Sequence, residues 1–290
     1  MGSTILNYLA NQFEDGKIGE TLSEIRQRAS YPGNYLIVVE GPEDQKVLKE
    51  LFNNHTFLLN PYCKGRAEMI MSYFPEFKNI IAALDRDYDS LSDDERIFYF
   101  DGCNLEMMLV KEDSLFSPLF GGDSFSASDL IAIKNNALNS LKPYSCLRKM
   151  NSMKNVGSKC KEFSVEKVFP CLERCLDIKN DTFINDINDG ILNNLISLTV
   201  KQRNRILRKF TSNLETLMAM NEYDITNGHD FNKIFVKQLS TKMLINTGCY
   251  DEHSIYDLYR DSYNISLFSK TKIYDAIREY QNKYNLEFVL

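Results

Sequence analysis

The sequence predicts an α/β fold, a mostly parallel sheet flanked by helices, followed by a predominantly helical C-terminal region. Three observations carry this expectation. Short β-branched or aromatic apolar runs recur at 35–39, 80–84 and 97–100, as in strands buried on both faces. Segments of helical period lie between them, so strands and helices alternate as in βαβ units. Beyond Asn104 the strand pattern stops and helical periodicity takes over.

Each element has a local cause. ILNYLANQF and ETLSEIRQRA are amphipathic and predict two helices ahead of the first strand. The strand at 35–39 runs into Glu40; Gly41 permits a sharp turn, Pro42 suits the first helical position, and Val47, Leu48, Leu51 and Phe52 recur at helical spacing. TFLLNP predicts the second strand, CKGRAEMIMSYF a turn ended by Gly65 and then a short helix, NIIAALDRD the third strand, and RIFYF the fourth. Downstream, LEMMLV, SDLIAIKNNALNSL, VEKVFPCLERCL, ILNNLISL, NLETLMAM, DFNKIFVKQLSTKML and KIYDAIREYQNKY predict helices, with Ser126 or Ser128 as a cap. The expected division is a helical segment at 1–33, an α/β domain at 34–112 and a helical region at 113–290 for substrate binding and dimerisation.

At 290 residues, 43% apolar and 26% charged, the chain is long enough for one large or two modest cores. No apolar run reaches the ~20 residues that span a bilayer, and the amino terminus lacks a basic segment with a cleavage site, so a cytoplasmic protein with no membrane partner is expected. Seven scattered cysteines without a CxxC pair read as reduced core thiols, and three dispersed histidines make no local zinc motif. A net charge of −6 argues against broad coating of nucleic acid. Positive charge is nevertheless concentrated between Lys142 and Lys167, and again in KQRNRILRKF. Either cluster is a solvated helix face or a local phosphate-binding surface.

The acids at the third strand sharpen the reading. NIIAAL ends in Asp85-Arg86-Asp87-Tyr88-Asp89. If the chain stays extended there, the three acids point to one side, because strand side chains alternate. Carboxylates converging with Glu40 repel one another unless a cation sits between them, and hard oxygen ligands suit Mg²⁺ or Mn²⁺. An EF-hand is excluded, since Ser90 and Arg96 stand where its loop needs Gly and Glu. A phosphatase with Asp85 as nucleophile leaves EGPED without a role. A solvated acidic turn remains open for DRDYD taken alone.

VVEGPED followed by ALDRD resembles the Toprim domain shared by topoisomerases, bacterial primases and nucleases of the overcoming-lysogenization-defect type, over roughly residues 35–110. DGCNLEMML is similar to a segment of the Toprim subgroup that includes the nuclease subunit of the PARIS anti-phage system, and NGHDFNKIF resembles its carboxyl-terminal Gly-Lys/His-Asp element. The chain departs from that pattern at Asp101-Gly102-Cys103, where Thr/Ser-Asp is expected. The resemblance implies Glu40 as metal ligand or general base, Asp85 and Asp87 as metal ligands, and Glu106 as a further ligand, with one or two Mg²⁺ or Mn²⁺ ions. It implies a Toprim-like sheet and a toxic effector that cuts host RNA, tRNA before DNA, under an ABC-type ATPase partner. A DNA endonuclease of the overcoming-lysogenization-defect type, or a silent Toprim module that binds protein, are the alternatives.

Other residues carry two readings each. Asp44 supports the metal or simply favours its helix N-terminus. Lys64 and Arg66 meet substrate phosphate or form a charged turn. His229 touches a phosphate or leaving group, and Asp230 caps a helix. Arg203, Arg205 and Arg208 position RNA through phosphates. LEFVL and SIYDLYRDSYNISLF either form the interface of a homodimer or fold back as core.

Overall fold

The computed structural model describes residues 18–88, 91–116, 126–154, 199–243 and 252–289. In chain order its elements are α1 (Ile18–Ala29), β1 (Tyr35–Val38), α2 (Pro42–Leu48), β2 (Thr56–Leu59), α3 (Lys64–Tyr73), β3 (Ile80–Leu84), β4 (Ile97–Tyr99) and α4 (Leu105–Val110). A 3₁₀ turn (Asp113–Leu115) follows, then α5 (Ala127–Lys154), α6 (Val200–Ser212), α7 (Leu214–Met218), α8 (Glu222–Ile225), α9 (Gly228–Met243), α10 (Glu252–Ser262), α11 (Ile265–Phe268) and α12 (Lys272–Tyr284). The expected helices ILNYLANQF, VEKVFPCLERCL and ILNNLISL lie outside the described residues. Among the described residues no helix is long and apolar enough to cross a membrane.

The chain divides into two compact units whose borders differ from the linear division expected above. The first comprises described residues 18–86, 91–105 and 260–289; the second comprises 87–88, 106–259 where described. The last thirty or so residues thus belong with the sheet rather than with the helical region.

In the first unit the four strands are all parallel, in the order β2-β1-β3-β4. This α/β arrangement is consistent with a Toprim-like fold. β1 is central, with Val38 opposite both Leu59 of β2 and Ala82 of β3, so the carboxyl ends of β1 and β3 are neighbours. All five residues of β3 are buried, as its uninterrupted apolar run requires. One face of the sheet packs Leu36, Val38, Ala82 and Leu84 against Ile25 of α1 and Ile70 and Met71 of α3.

Polar side chains close the ends of these elements. Arg96 is 4% exposed, and its guanidinium donates to the carbonyls of Met71 and Phe74 at the end of α3 and to Asp94. A buried cation here adds a second donor to helix-end carbonyls that also accept the N–H groups of Phe74 and Phe77. Asp101 accepts the N–H groups of Lys272 and Ile273, at 2.9 and 3.1 Å, and so caps α12. Gly102 beside it has φ +110, a backbone that side-chain-bearing residues rarely adopt. Beyond α12 the chain turns back: Asn53 N–H donates to the Phe288 carbonyl, Val289 pairs with Phe52, and the Phe288 ring lies 5.1 Å from that of Tyr35. LEFVL therefore contributes core, with Phe288 and Val289 buried.

The second unit is organised on α5, against which α6, α7, α8 and α9 pack. α5 starts where Ser126 accepts the Asp129 N–H and Asp129 accepts the Ser126 N–H in return. It is 28 residues long and passes through Pro143, well beyond the SDLIAIKNNALNSL pattern. Burial of Leu141, Tyr144, Cys146 and Leu147 around the proline offsets its cost of about 3 kcal/mol in a helix interior. Burial also raises the Cys146 thiol to about 12, so it is an inert core group. In SIYDLYRDSYNISLF, the side chains of Ile255, Tyr256, Tyr259, Tyr263 and Phe268 are all buried. These side chains follow the fold-back reading, while Leu258, Ile265 and Leu267 are half-buried.

Candidate functional site

The turn after β1 is built locally. Gly41 is extended, with φ −144°, so the turn does not draw on the freedom of glycine. Pro42 begins α2 as expected. The Asp44 carboxylate folds back to accept the Gly41 N–H at 2.9 Å, serving a donor that would otherwise lack a partner. Glu40 itself reaches sideways: its Oε1 accepts the Asp85 N–H at 2.9 Å, across the neighbouring ends of β1 and β3.

The turn after β3 is built from distant parts of the same unit. β3 ends at Leu84, and Asp85 Oδ1 accepts the Leu105 N–H at 3.0 Å. Lys64 Nζ donates to the Asp85 carbonyl at 2.8 Å and to that of Arg86 at 3.4 Å, and stands 5.6 Å from the centre of the Tyr99 ring. The expected phosphate contact thus already serves the backbone of the acidic turn. Arg66 donates to the Pro61 carbonyl at 3.3 Å. Gly65 falls inside α3 rather than ending a turn before it.

Asp87 has φ +49°, in the left-handed region. The alternation that would point Asp85, Asp87 and Asp89 to one side therefore does not continue beyond β3, because the backbone reverses where extension was assumed. Asp89 lies outside the described residues.

In the second unit Tyr88 donates its hydroxyl hydrogen to the Ile225 carbonyl at 2.9 Å, and the Lys149 ammonium lies 5.6 Å from its ring centre. Glu106 Oε1 is 3.5 Å from His229 Nε2; the acid is largely buried and the imidazole is 65% exposed. The NGHD segment does not use Asp230 as a cap. Asn227 Oδ1 accepts the N–H groups of His229 and Asp230, while the Asp230 carboxylate pairs with Arg148 of α5. Burial pushes the Asp230 carboxyl above its ordinary range against the opposing pull of that guanidinium.

Two acids held at adjacent strand ends, each with one oxygen on a backbone N–H, fit Mg²⁺ or Mn²⁺. Such ions take one or two carboxylates and complete their shell with water or phosphate. Among the described residues no group of three or more His, Cys, Asp and Glu side chains is gathered to hold a metal, so a cage made wholly of protein ligands is not present there. In open parallel sheets this carboxyl edge is where ligands bind. The strand-amino edge carries a shallow cleft lined by Tyr31, Asn34, Lys78 and Asn79, and none of the candidate acids lines it.

Sequence reasoning missed Arg96 and left Asp101 without a role. Both act on partners far along the chain, and nothing in their immediate neighbours announces this. Neither a protein-family model nor a curated protein matches the chain.

Proposed function

We propose that this chain is a metal-dependent Toprim-type nuclease that hydrolyses phosphodiesters of RNA, tRNA favoured, as an anti-phage effector in the cytoplasm. The observation that supports it best is the Glu40 carboxylate locked onto the Asp85 N–H at the carboxyl edge of an all-parallel sheet. Asp87 and Glu106 are assigned as further ligands on the VVEGPED, ALDRD and NLEMML resemblance alone, which also supplies the ABC-type ATPase partner and the RNA class. A divalent cation, when bound, neutralises phosphate charge and acidifies a water molecule. Glu40 orients the Asp85 backbone and holds negative charge at the strand end; Lys64 holds the turn that carries Asp85.

A silent protein-binding module is the second reading, since Glu40 and Asp85 each hold a backbone N–H and would serve the turn without any metal. Cleavage of total tRNA and of plasmid, with Mg²⁺ or Mn²⁺, separates them. The nuclease reading expects tRNA cutting by the wild type and none by Glu40→Gln. Plasmid nicking with intact tRNA would move the proposal to DNA, and metal binding without any cutting would favour the module.

A further inference from the structure

The basic segment of α6 is more ordered in its charge than its composition requires. Thr199 accepts the Gln202 N–H and the Gln202 side chain accepts the Thr199 N–H, which sets the start of the helix. Ile206 and Phe210 are buried and fix which face turns inward. Lys201, Arg205 and Arg208 are all exposed. Their spacing of four and three residues puts them on one face, in a line about 10 Å long at 1.5 Å per residue. The helix contains no acid from Val200 to Ser212. Lys201, Arg205 and Arg208 form no ion pair among the described residues, whereas Arg148 in the same unit is paired with Asp230.

We propose that Lys201, Arg205 and Arg208 form a phosphate-binding line for an RNA backbone. The choice of RNA rests on the nuclease reading; the polyanion rests on the charge line itself. Three like charges held on one rigid face repel one another, and a polyanion relieves that repulsion while releasing its own counterions. Guanidinium groups suit phosphate oxygens through paired donors. The line carries no apolar residue to enter a lipid surface; Val200, at the first turn, is the large exposed apolar side chain of this helix. In a chain of net charge −6, a short local line predicts few contacts and a shallow salt dependence rather than general coating of nucleic acid.

The test is binding of a fluorescent single-stranded oligouridylate to the full chain in EDTA, which stops metal-dependent cleavage, over a series of salt concentrations. The Lys201→Ala, Arg205→Ala, Arg208→Ala triple variant keeps the helix, since alanine favours it; circular dichroism checks that. At about 0.7 per phosphate contact on a single strand, the plot of log affinity against log salt should become shallower by about 2. An unchanged slope would overturn the proposal. So would a wild type that ignores RNA, or one that binds only phosphatidylserine vesicles or polyglutamate. The nuclease reading is judged separately: if RNA binding follows the expected slopes but no cleavage occurs with metal, the charge line stands and the nuclease reading fails. If Glu40→Gln abolishes cleavage while the triple variant keeps its slope, the reverse holds.

Discussion

The turns after β1 and β3 leave the same edge of one sheet, yet they are fixed by different means. Asp44, three residues along, caps Gly41 and closes the first turn on itself. The second turn receives Glu40 from β1, the Lys64 ammonium from α3 and the Leu105 N–H from α4. A turn held by its own neighbours survives changes elsewhere. One held by three other elements carries its acid in place only while the whole unit is folded. The difference separates an acid that serves the backbone of its own turn from acids that tie distant elements together at a strand end.

The largest expected effect comes from Glu40, the residue that links the two turns. Glu40→Gln keeps an oxygen for the Asp85 N–H but removes the charge, so cleavage should fall by at least about 10²-fold with little change in thermal stability. Glu40→Ala should add a stability loss of about 1 kcal/mol from the missing acceptor. Equal activity of Glu40→Gln and wild type in a single-turnover assay would break the contrast, because both turns would then be merely structural.

Next comes the external support of the second turn. Lys64→Met removes the donor to the Asp85 and Arg86 carbonyls. Urea denaturation should show a loss of about 1–3 kcal/mol, with Lys64→Arg restoring part of it. A neutral Lys64→Met would mean that the β3 turn stands unaided, as the β1 turn does.

Asp44→Ala tests the self-contained turn and should cost about 1 kcal/mol, the usual value of a lost helix cap. Cleavage by Asp44→Asn, measured at saturating Mg²⁺, should stay within a few-fold of wild type. A loss as large as that of Glu40→Gln would instead make Asp44 part of the metal site.

The smallest effect is expected at the amino edge, away from both turns. Glu95 accepts from Lys78 and Lys283, and its hydrogen bond to Lys283 is the main cause that lowers its carboxyl to about 2. Because the folded value is depressed, this contribution is present above the ordinary carboxylate range near ~4.3 and disappears as pH falls through about 2. Stability measured between those limits should therefore fall less steeply with acid in Glu95→Gln than in wild type. Identical slopes would show that this exposed cluster is screened into irrelevance.

Much of the scaffold was legible in the sequence because it is encoded by near neighbours. Apolar runs and helical periods placed all four strands and α4, α5, α7, α9 and α12, but not α8, α10 or α11. Pro42 marked the start of α2, and of the two serines offered as a cap for α5 it is Ser126 that serves. The extended reading of Asp85 to Asp89 did not survive, since one left-handed residue, Asp87, ends the alternation and periodicity carries no sign of it. The continuation of α5 through Pro143 was equally hidden, because burial around the proline outweighed a local penalty.

What the sequence determined by itself was thus the four strands, most of the longer helices and the identity of the acids at two strand ends. Which strands lie side by side was decided by tertiary structure: Glu40 meets Asp85, 45 residues away, because β1 pairs with β3. The same holds for Asp101, whose helix begins 171 residues later, and for Val289, which pairs with Phe52. Local patterns report torsional preference and the side that seeks burial; the choice among distant partners is made only when one packed core satisfies all of those preferences together.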